Sequence, residues 1–234
     1  MSTIQFKPLS EQAMFVQFSS TINEQTQQQI QLAVQLLQQH PFPGLLEIVP
    51  SYTNFCVYYD PLLVQKSLPH AATISQRVQN HIQTLLAQQL SAQDLSRRVI
   101  EIPVVYGGEY GPDLLEVAHF HHLSPEEVIA IHTARDYIVY MLGFAPGFPY
   151  LGGLDARIAT PRRATPRLEI AAGSVGIGGE QTGIYPFNTP GGWQIIGRTM
   201  TPLFSLTSTP PALLQAGDIV RFIAVEEDEV CCTY

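Results

Sequence analysis

Four arginine side chains lie within one short segment of the second half of the chain: Arg157, Arg162, Arg163 and Arg167. An arginine stays charged at physiological pH and binds a carboxylate or a phosphate through two parallel hydrogen bonds. Threonine and proline residues beside these arginines indicate a fixed loop rather than one face of a helix. The segment therefore predicts either an anion-binding site or a solvated basic patch that balances the acids around it.

His132 and Arg135 form a second pair of side chains that could take part in catalysis. They follow a helix start in which Ser124 is the N-cap and Glu127 stands three residues later, the spacing of a capping box. A separation of three residues places the histidine and the arginine on one helix face. Two interpretations stay open: a catalytic role, or a surface pairing with Asp136 or Glu127.

Aromatic residues occur in two segments rich in glycine and proline that flank the arginine cluster. MLGFAPGFPYLGGLD, residues 141–155, contains Phe144, Phe148 and Tyr150, and GIYPFNTPGGW, residues 183–193, contains Tyr185 and Trp193. Glycine and proline make regular strand pairing difficult, so both segments are predicted to be surface loops whose rings bind a ligand or a partner. The alternative is that the rings fill the core of a barrel.

The glycine-rich stretch GSVGIGGEQTG, residues 173–183, matches neither a P-loop nor a dinucleotide-binding fingerprint, and no helix pattern follows it. Its glycines indicate turns and bulges of β-structure, or a backbone that brings N–H groups close to a ligand. The histidines at 119, 121 and 122 lack the cysteine or carboxylate partners of a zinc site, so no metal site is predicted.

Composition excludes several classes of protein. A net charge of −8 argues against a general nucleic-acid binder. No apolar run is long enough to span a membrane and the first residues do not resemble a secretory signal, so we expect a cytoplasmic protein. Cys56, Cys231 and Cys232 cannot form a disulfide framework. Residues 99–234 contain seven arginines, fifteen acids and no lysine, so cationic chemistry there depends on arginine.

The first hundred residues alternate between strand and helix patterns. A strand is predicted near residues 14–18, followed by a helix that begins at a capping box of Thr21 and Glu24. A strand pair around a turn at 51–54, a second amphipathic helix from about residue 74 and the strand RRVIEIPVVY follow. This pattern predicts an α+β domain over residues 1–98, of the ferredoxin-like kind.

From residue 99 onward the patterns become mainly β. Asp113 is predicted to cap a short helix, and DYIVYMLGF, residues 136–144, is a predicted buried strand. Further strands are expected in GGWQIIGRTM, LFSLTS and DIVRFIAV, separated by glycine and proline. Many short strands with such turns predict a β-barrel domain over residues 99–234.

Longer motifs carry a family resemblance. They are IPVVYGGEYGPDL, LSPEEVIAIHTARDYIVYMLGFAPGFPYLGGLD, ATPRRATPR, AAGSVGIGGEQTGIYPFNTPGGWQIIGRT and LLQAGDIVRF. Together they resemble the bacterial family of 5-oxoprolinase B subunits, which also includes KipI-type histidine-kinase inhibitors and the first subunit of allophanate hydrolase-like proteins. The motifs are also similar to one lobe of the carboxyltransferase domain of urea carboxylase.

The resemblance implies a ferredoxin-like N-terminal domain followed by a cyclophilin-like β-barrel. It implies that the protein acts with the 5-oxoprolinase C subunit and uses ATP with Mg²⁺ to phosphorylate 5-oxoproline, before the A subunit opens the lactam to L-glutamate. The site residues expected on this basis fall into three groups: catalytic Arg162, His132 and Arg135; ligand-binding Arg163, Arg167, Gln181, Thr182, Tyr185, Gly178 and Gly179; and partner-binding Phe144, Phe148 and Tyr150.

The same family resemblance leaves two alternative functions open. The protein could inhibit a sensor histidine kinase, with the aromatic loop from Phe144 to Leu151 gripping a helical bundle. It could also be one component of an allophanate or urea-carboxylase-like enzyme.

Overall fold

The computed structural model describes residues 4–89 and 97–227, and the chain divides into two compact units, Met1–Ser96 and Arg97–Tyr234. Cys231 and Cys232 lie outside the described residues. Within the described ranges, none of the helices combines the length and the apolar character that crossing a bilayer requires.

The first unit combines a sheet with helices packed on one of its faces. Its elements are β1 (Gln5–Ser10), β2 (Ala13–Gln17), α1 (Glu24–Gln39), β3 (Leu45–Pro50), β4 (Asn54–Tyr59), α2 (Pro61–Ser67) and α3 (Ile74–Gln89). The sheet is antiparallel in the order β1-β2-β4-β3. Ile30 of α1 and Ile82 of α3 are fully buried in the core beside Phe55 and Val57 of the sheet. The apolar stripes of both long helices therefore form this core.

The start of α1 differs from the prediction. Its N-cap is Asn23, whose side-chain Oδ1 accepts a hydrogen bond from the backbone N–H of Thr26 at 2.8 Å. The capping box predicted for Thr21 and Glu24 is therefore wrong. Asparagine caps a helix as well as threonine does, and here it stands two residues closer to the first turn.

The fourth strand of this sheet also differs from the predicted layout. The strand expected after the second amphipathic helix is β5 (Val99–Tyr106), and it belongs to the second unit. The sheet position beside β2 is occupied by β1, which the sequence patterns missed because most of its residues are exposed. A ferredoxin-like fold for the first unit stays a prediction.

The second unit is built around a closed β-barrel. Its helices are α4 (Leu114–Phe120), α5 (Pro125–Thr133) and a short 3₁₀ helix, Ala156–Ile158. Its strands after β5 are β6 (Asp136–Leu142), β7 (Pro149–Gly152), β8 (Arg167–Ile170), β9 (Ser174–Gly178), β10 (Gln181–Ile184), β11 (Thr189–Gly191), β12 (Gln194–Arg198) and β13 (Ile219–Ala224). The barrel closes in the order β10-β7-β6-β13-β5-β12-β9, whereas β8 and β11 form a separate two-stranded sheet.

The barrel confirms the mainly β character predicted for this half of the chain. β13 pairs with β5 in parallel, and the other barrel pairs are antiparallel. Val104, Ile177 and Val220 are fully buried among the side chains that fill the barrel. The strand predicted in LFSLTS is wrong, because there Phe204 makes only an isolated bridge to Ala212.

Helices α4 and α5 begin in different ways. At α5 the predicted capping box is confirmed: Ser124 Oγ accepts from the Glu127 N–H at 3.2 Å, and Glu127 Oε2 accepts from the Ser124 N–H at 2.7 Å. At α4, Asp113 occupies the N-cap position, but its side chain makes no capping hydrogen bond. The predicted N-cap position of Asp113 is therefore confirmed, but its carboxylate does not cap the helix and is directed elsewhere.

Candidate functional site

A small cluster of aromatic residues, separate from the barrel core, lies beside the arginine segment. Phe148, Tyr185 and Trp193 pack together with ring centroids 5.2 to 6.4 Å apart, and each is at most 4% exposed. Ile170 and Ile195 complete the cluster. The rings were expected in surface loops. Phe148 and Tyr185 are instead buried, and residues 149–152 form strand β7 despite their proline and glycines.

Glycine makes room for the indole of Trp193. A Cβ atom added to Gly178 would lie 2.5 Å from Cε2 of Trp193, and one added to Gly183 would lie 3.1 Å from Cζ3. The β9–β10 hairpin is therefore rich in glycine because the indole packs directly against its backbone. This supports the interpretation of the stretch as β-structure. Its turn residue Gly179 donates its N–H to the carbonyl of Thr160 at 2.8 Å and has a φ of +66°.

Arg162 lies over the aromatic cluster. Its guanidinium carbon is 5.8 Å from the centroid of the Trp193 ring, within the range of a cation–π contact. The side chain is exposed, and among the described residues no carboxylate pairs with it. Burial raises the pKa of the neighbouring Tyr185 hydroxyl to about 12, while a hydrogen bond with the Trp193 backbone and the charge of Arg162 act in the opposite direction.

Arg163 and Arg167 both bind Asp113, which is 2% exposed. Arg167 donates two hydrogen bonds to the carboxylate, both at 2.7 Å, and Arg163 donates one at 2.8 Å. The backbone N–H of Ile195 supplies a fourth at 2.6 Å. This carboxylate therefore joins the start of α4, the arginine loop and strand β12. The ligand-binding role predicted for the two arginines stays a prediction, and in this structure their guanidinium groups are occupied by Asp113.

His132 lies inside the barrel rather than at a surface. It is fully buried, its Nδ1 is 2.8 Å from the hydroxyl of Tyr106, and its Nε2 is 3.0 Å from the hydroxyl of Thr182. Thr182 donates its own proton to the Gly176 carbonyl, so its oxygen accepts from Nε2–H and Nδ1 accepts from the tyrosine. Burial lowers the pKa of His132 to about 3, so the ring is neutral.

These positions bear on the predicted roles of His132 and Thr182. Both side chains are 0% exposed, and their hydrogen bonds join α5 to strands β5, β9 and β10. This arrangement stabilises the barrel around one neutral imidazole. The catalytic role of His132 and the ligand-binding role of Thr182 stay predictions. Neither side chain has an exposed atom that would support its role.

Arg135 does not share a helix face with His132, because α5 ends at Thr133. Its guanidinium donates to Asp155 Oδ2 at 2.9 Å, and Arg157 binds the same carboxylate. These arginines hold the pKa of Asp155 well below its usual range, with Arg157 contributing most. The pairing expected with Asp136 or Glu127 is therefore wrong. Asp136 pairs instead with Arg221.

Phe144 is the exposed member of the aromatic segment. It is 64% exposed, contacts Phe148 with centroids 5.4 Å apart, and has a φ of +67°. A bulky residue in this left-handed conformation is uncommon and clusters at functional sites. Phe187 is 38% exposed and packs on Phe204. Phe204 in turn lies next to Gly147, which belongs to the same segment as Phe144. We call Phe144, Phe187 and Phe204 the aromatic rim.

The remaining predicted residues lie at the margin of this arrangement. Tyr150 is half-buried and packs on Phe148 with centroids 5.0 Å apart, and Gln181 is half-buried at the start of β10. Within the described ranges, no three His, Cys, Asp or Glu side chains are grouped so that they could hold a metal ion.

Two features of the site were missed by sequence reasoning. Asp113 was interpreted as a helix cap, and the burial of Trp193 against glycine was not foreseen. The only sequence signal for the second was the spacing of Gly176, Gly178 and Gly183 in strand-like segments, which indicates that something large approaches the backbone.

Comparisons with known proteins give relatives over nearly the whole chain. The family model of the carboxyltransferase domain, subdomains C and D, matches residues 4–214. The 5-oxoprolinase B subunit of Bacillus subtilis is 49% identical over 226 residues, which cover 96% of this chain and 94% of that protein. The 5-oxoprolinase B subunit of Haemophilus influenzae is 46% identical over 216 residues, 92% of this chain and 95% of that protein.

A solved structure of the protein TTHA0988 has a similar fold. It matches with a TM-score of 0.77 and 35% identity over 92% of this chain. The matched part spans only 40% of the TTHA0988 chain, so a fold similar to that of this chain also occurs within a longer polypeptide.

Proposed function

The chain belongs to the carboxyltransferase-domain family, together with the 5-oxoprolinase B subunits, and on that premise we propose that it is the B subunit of an ATP-dependent 5-oxoprolinase. The observation that carries the proposal is the 45% to 49% identity to three such proteins. Because each of these relatives is named as one part of a larger hydrolase, we expect no activity from this chain alone.

The proposed reaction overcomes the low reactivity of a lactam. The lactam oxygen attacks the terminal phosphorus of ATP, so a C–O–P linkage forms and ADP leaves. Water then adds to the activated ring carbon and the ring C–N bond breaks, with the amine taking up a proton. A second water hydrolyses the resulting acyl phosphate to L-glutamate and phosphate. Such a sequence depends on positioning and on stabilisation of negative charge.

The described residues of this chain fit an anion of small charge better than a triphosphate. Arg163 and Arg167 are bound to Asp113, and the Gly179 N–H is bound to Thr160. These groups do not form a phosphate-binding cradle, so we place the nucleotide and its Mg²⁺ mainly against the partner, the C subunit. Arg162 is the cation that this chain offers to the shared site.

The aromatic rim is the proposed contact with the C subunit. Phe144 projects 64% of its surface into solvent from a left-handed backbone, and the buried ring of Phe148 supports it from below. A large ring exposed in this way is typical of a surface that becomes buried in a complex. Phe148 and Tyr150 would then act by holding Phe144 rather than by direct contact.

The proposal also includes the fold type of each of the two units. The family resemblance supports the terms ferredoxin-like for the first unit and cyclophilin-like for the barrel. Three other statements also stay predictions: a cytoplasmic location, the alternative role as a histidine-kinase inhibitor, and the involvement of the A subunit.

Reconstitution tests the proposed function. The chain is purified with the C and A subunits, and L-glutamate formation from 5-oxoproline is measured with and without ATP. We expect turnover only when all three proteins and ATP are present. Absence of turnover from a complete, assembled mixture would reject the proposed function.

A further inference from the structure

Arg162 differs from its neighbours in the arginine segment by its lack of an acidic partner. Arg157 binds Asp155, and Arg163 and Arg167 bind Asp113, all at 2.7 to 2.9 Å. No carboxylate in the described part of the chain pairs with Arg162. Within this segment, the Arg162 guanidinium therefore stays available to a ligand, in a unit with a large excess of acids.

The backbone on both sides of Arg162 is fixed. The carbonyl of Pro161 accepts a hydrogen bond from Gln194 Nε2 at 3.1 Å, and the N–H of Arg163 donates to the carbonyl of Gly192 at 2.7 Å. Both contacts come from the segment that carries Trp193, on whose ring the Arg162 guanidinium lies. The backbone that carries the Arg162 guanidinium is therefore preorganised. A ligand that binds this group needs to fix few additional rotatable bonds of the side chain.

The charge of the site selects the kind of anion. A single unpaired guanidinium matches one negative charge, and its planar fork matches a carboxylate in a bidentate geometry. A triphosphate carries several charges that the neighbouring groups, already bound to Asp113 and Thr160, do not compensate.

We propose that Arg162, lying on Trp193, binds the carboxylate of 5-oxoproline and so selects acidic lactams over neutral ones. This assignment rests on the proposed function, and it gives the residue a part in substrate specificity. The lactam carbonyl, at the other carbon bonded to the ring nitrogen, is then free to face the nucleotide carried by the partner.

The test compares Arg162→Gln and Arg162→Lys in the assembled complex, with Arg157→Gln as the control. Arg157 lies in the same segment, but its charge is already bound to Asp155. Equilibrium dialysis measures the binding of radiolabelled 5-oxoproline, with its neutral carboxamide as competitor, and steady-state kinetics give separate KM values for 5-oxoproline and ATP.

We expect Arg162→Gln to weaken 5-oxoproline binding about 50-fold, because a charged bidentate contact is lost. The KM for ATP and the affinity for the carboxamide should stay within about 3-fold of the wild-type values, a difference of less than 1 kcal/mol. Arg162→Lys should be intermediate, since it keeps the charge but not the fork. Arg157→Gln should behave as wild type.

Three results would overturn the assignment. A raised KM for ATP with unchanged 5-oxoproline binding would place Arg162 against phosphate. Loss of the C subunit from the Arg162→Gln complex would assign it to a carboxylate of the partner. Equal weakening for acid and carboxamide would make its role structural. If 5-oxoproline binds through Arg162 but the complete mixture forms no glutamate, the proposed function fails while the binding assignment stands.

Discussion

Asp113→Asn is the substitution whose effect can be estimated most closely from the structure. The carboxylate accepts four hydrogen bonds at 2.6 to 2.8 Å, three from Arg163 and Arg167 and one from the Ile195 N–H. An asparagine has nearly the same shape, but its one oxygen can accept at most two of them. Its NH₂ group would then face the remaining donors.

The magnitude follows from the two hydrogen bonds that are lost. Hydrogen bonds to a charged group contribute about 1.5–3 kcal/mol each, so the loss is at most about 3–6 kcal/mol. The side chains of Arg163 and Arg167 are 30% and 27% exposed, so they can recover part of this by turning to water. We therefore expect the free energy of unfolding of the second unit to fall by about 2–3 kcal/mol.

Unfolding in guanidinium chloride, monitored by the fluorescence emission of Trp193, measures this change. The chain contains one tryptophan, and it is buried in the second unit, so the signal reports on that unit. Glu116→Gln is the matched control, because Glu116 is exposed and contacts Arg163 at 3.4 Å; it should change stability by less than about 0.5 kcal/mol. If Asp113→Asn unfolds at the same denaturant concentration as wild type, the carboxylate does not hold the arginine loop.

Three further predictions concern the barrel, the hairpin and the rim. The neutral His132, with a native pKa of about 3, should make wild-type stability fall as pH drops below the ordinary histidine value of 6.5, because only the unfolded chain takes up the proton. Between pH 6.5 and pH 5, the free energy of unfolding of His132→Asn should fall by about 1.6 kcal/mol less than that of wild type, and an equal pH dependence in denaturation curves would contradict this. Gly178→Ala places a Cβ 2.5 Å from Trp193, so it should cost about 2 kcal/mol and shift the tryptophan emission to the red; an unchanged emission maximum would refute it. Phe144→Ala should leave the melting temperature unchanged but weaken about 10-fold the binding of the C subunit in titration calorimetry, and an unaltered Kd would remove Phe144 from the interface.

Local and periodic features of the fold were predictable from sequence. The capping box at Ser124 and Glu127 and the apolar stripe of α3 depend on residues within a few positions of one another. The barrel was predictable as a class, because short strands punctuated by glycine and proline have few other ways to bury their faces.

Contacts between distant residues were not predictable from the sequence. Asp113 meets Arg163 and Arg167 across 50 and 54 positions, and no local pattern distinguishes arginines bound to a buried acid from arginines that await a ligand. The aromatic segments were misjudged for the same reason. Proline and glycine in residues 146–153 were expected to prevent regular strand pairing, whereas residues 149–152 form the paired strand β7. The glycines of β9 and β10 were interpreted as turns and bulges, and they permit Trp193 to pack against paired strands.

The sequence identified the arginine segment as a candidate anion-binding site. Only the structure shows which of its arginines are bound to acidic side chains. Arg162 and Arg135 were both predicted to be catalytic. Arg162 has no carboxylate partner among the described residues, whereas Arg135 is bound to Asp155 beyond the end of α5. Helix spacing alone placed Arg135 beside His132, and the helix ends two residues before it.

The most direct test of the binding site is fluorine NMR of this chain labelled with fluorotryptophan and assembled with unlabelled C and A subunits. The single tryptophan gives one resonance, and Arg162 lies on its ring. We predict that this resonance shifts saturably when 5-oxoproline is added, and that it does not shift with the neutral carboxamide or in Arg162→Gln. An unmoved resonance in a complex that is converting 5-oxoproline to glutamate would contradict the account.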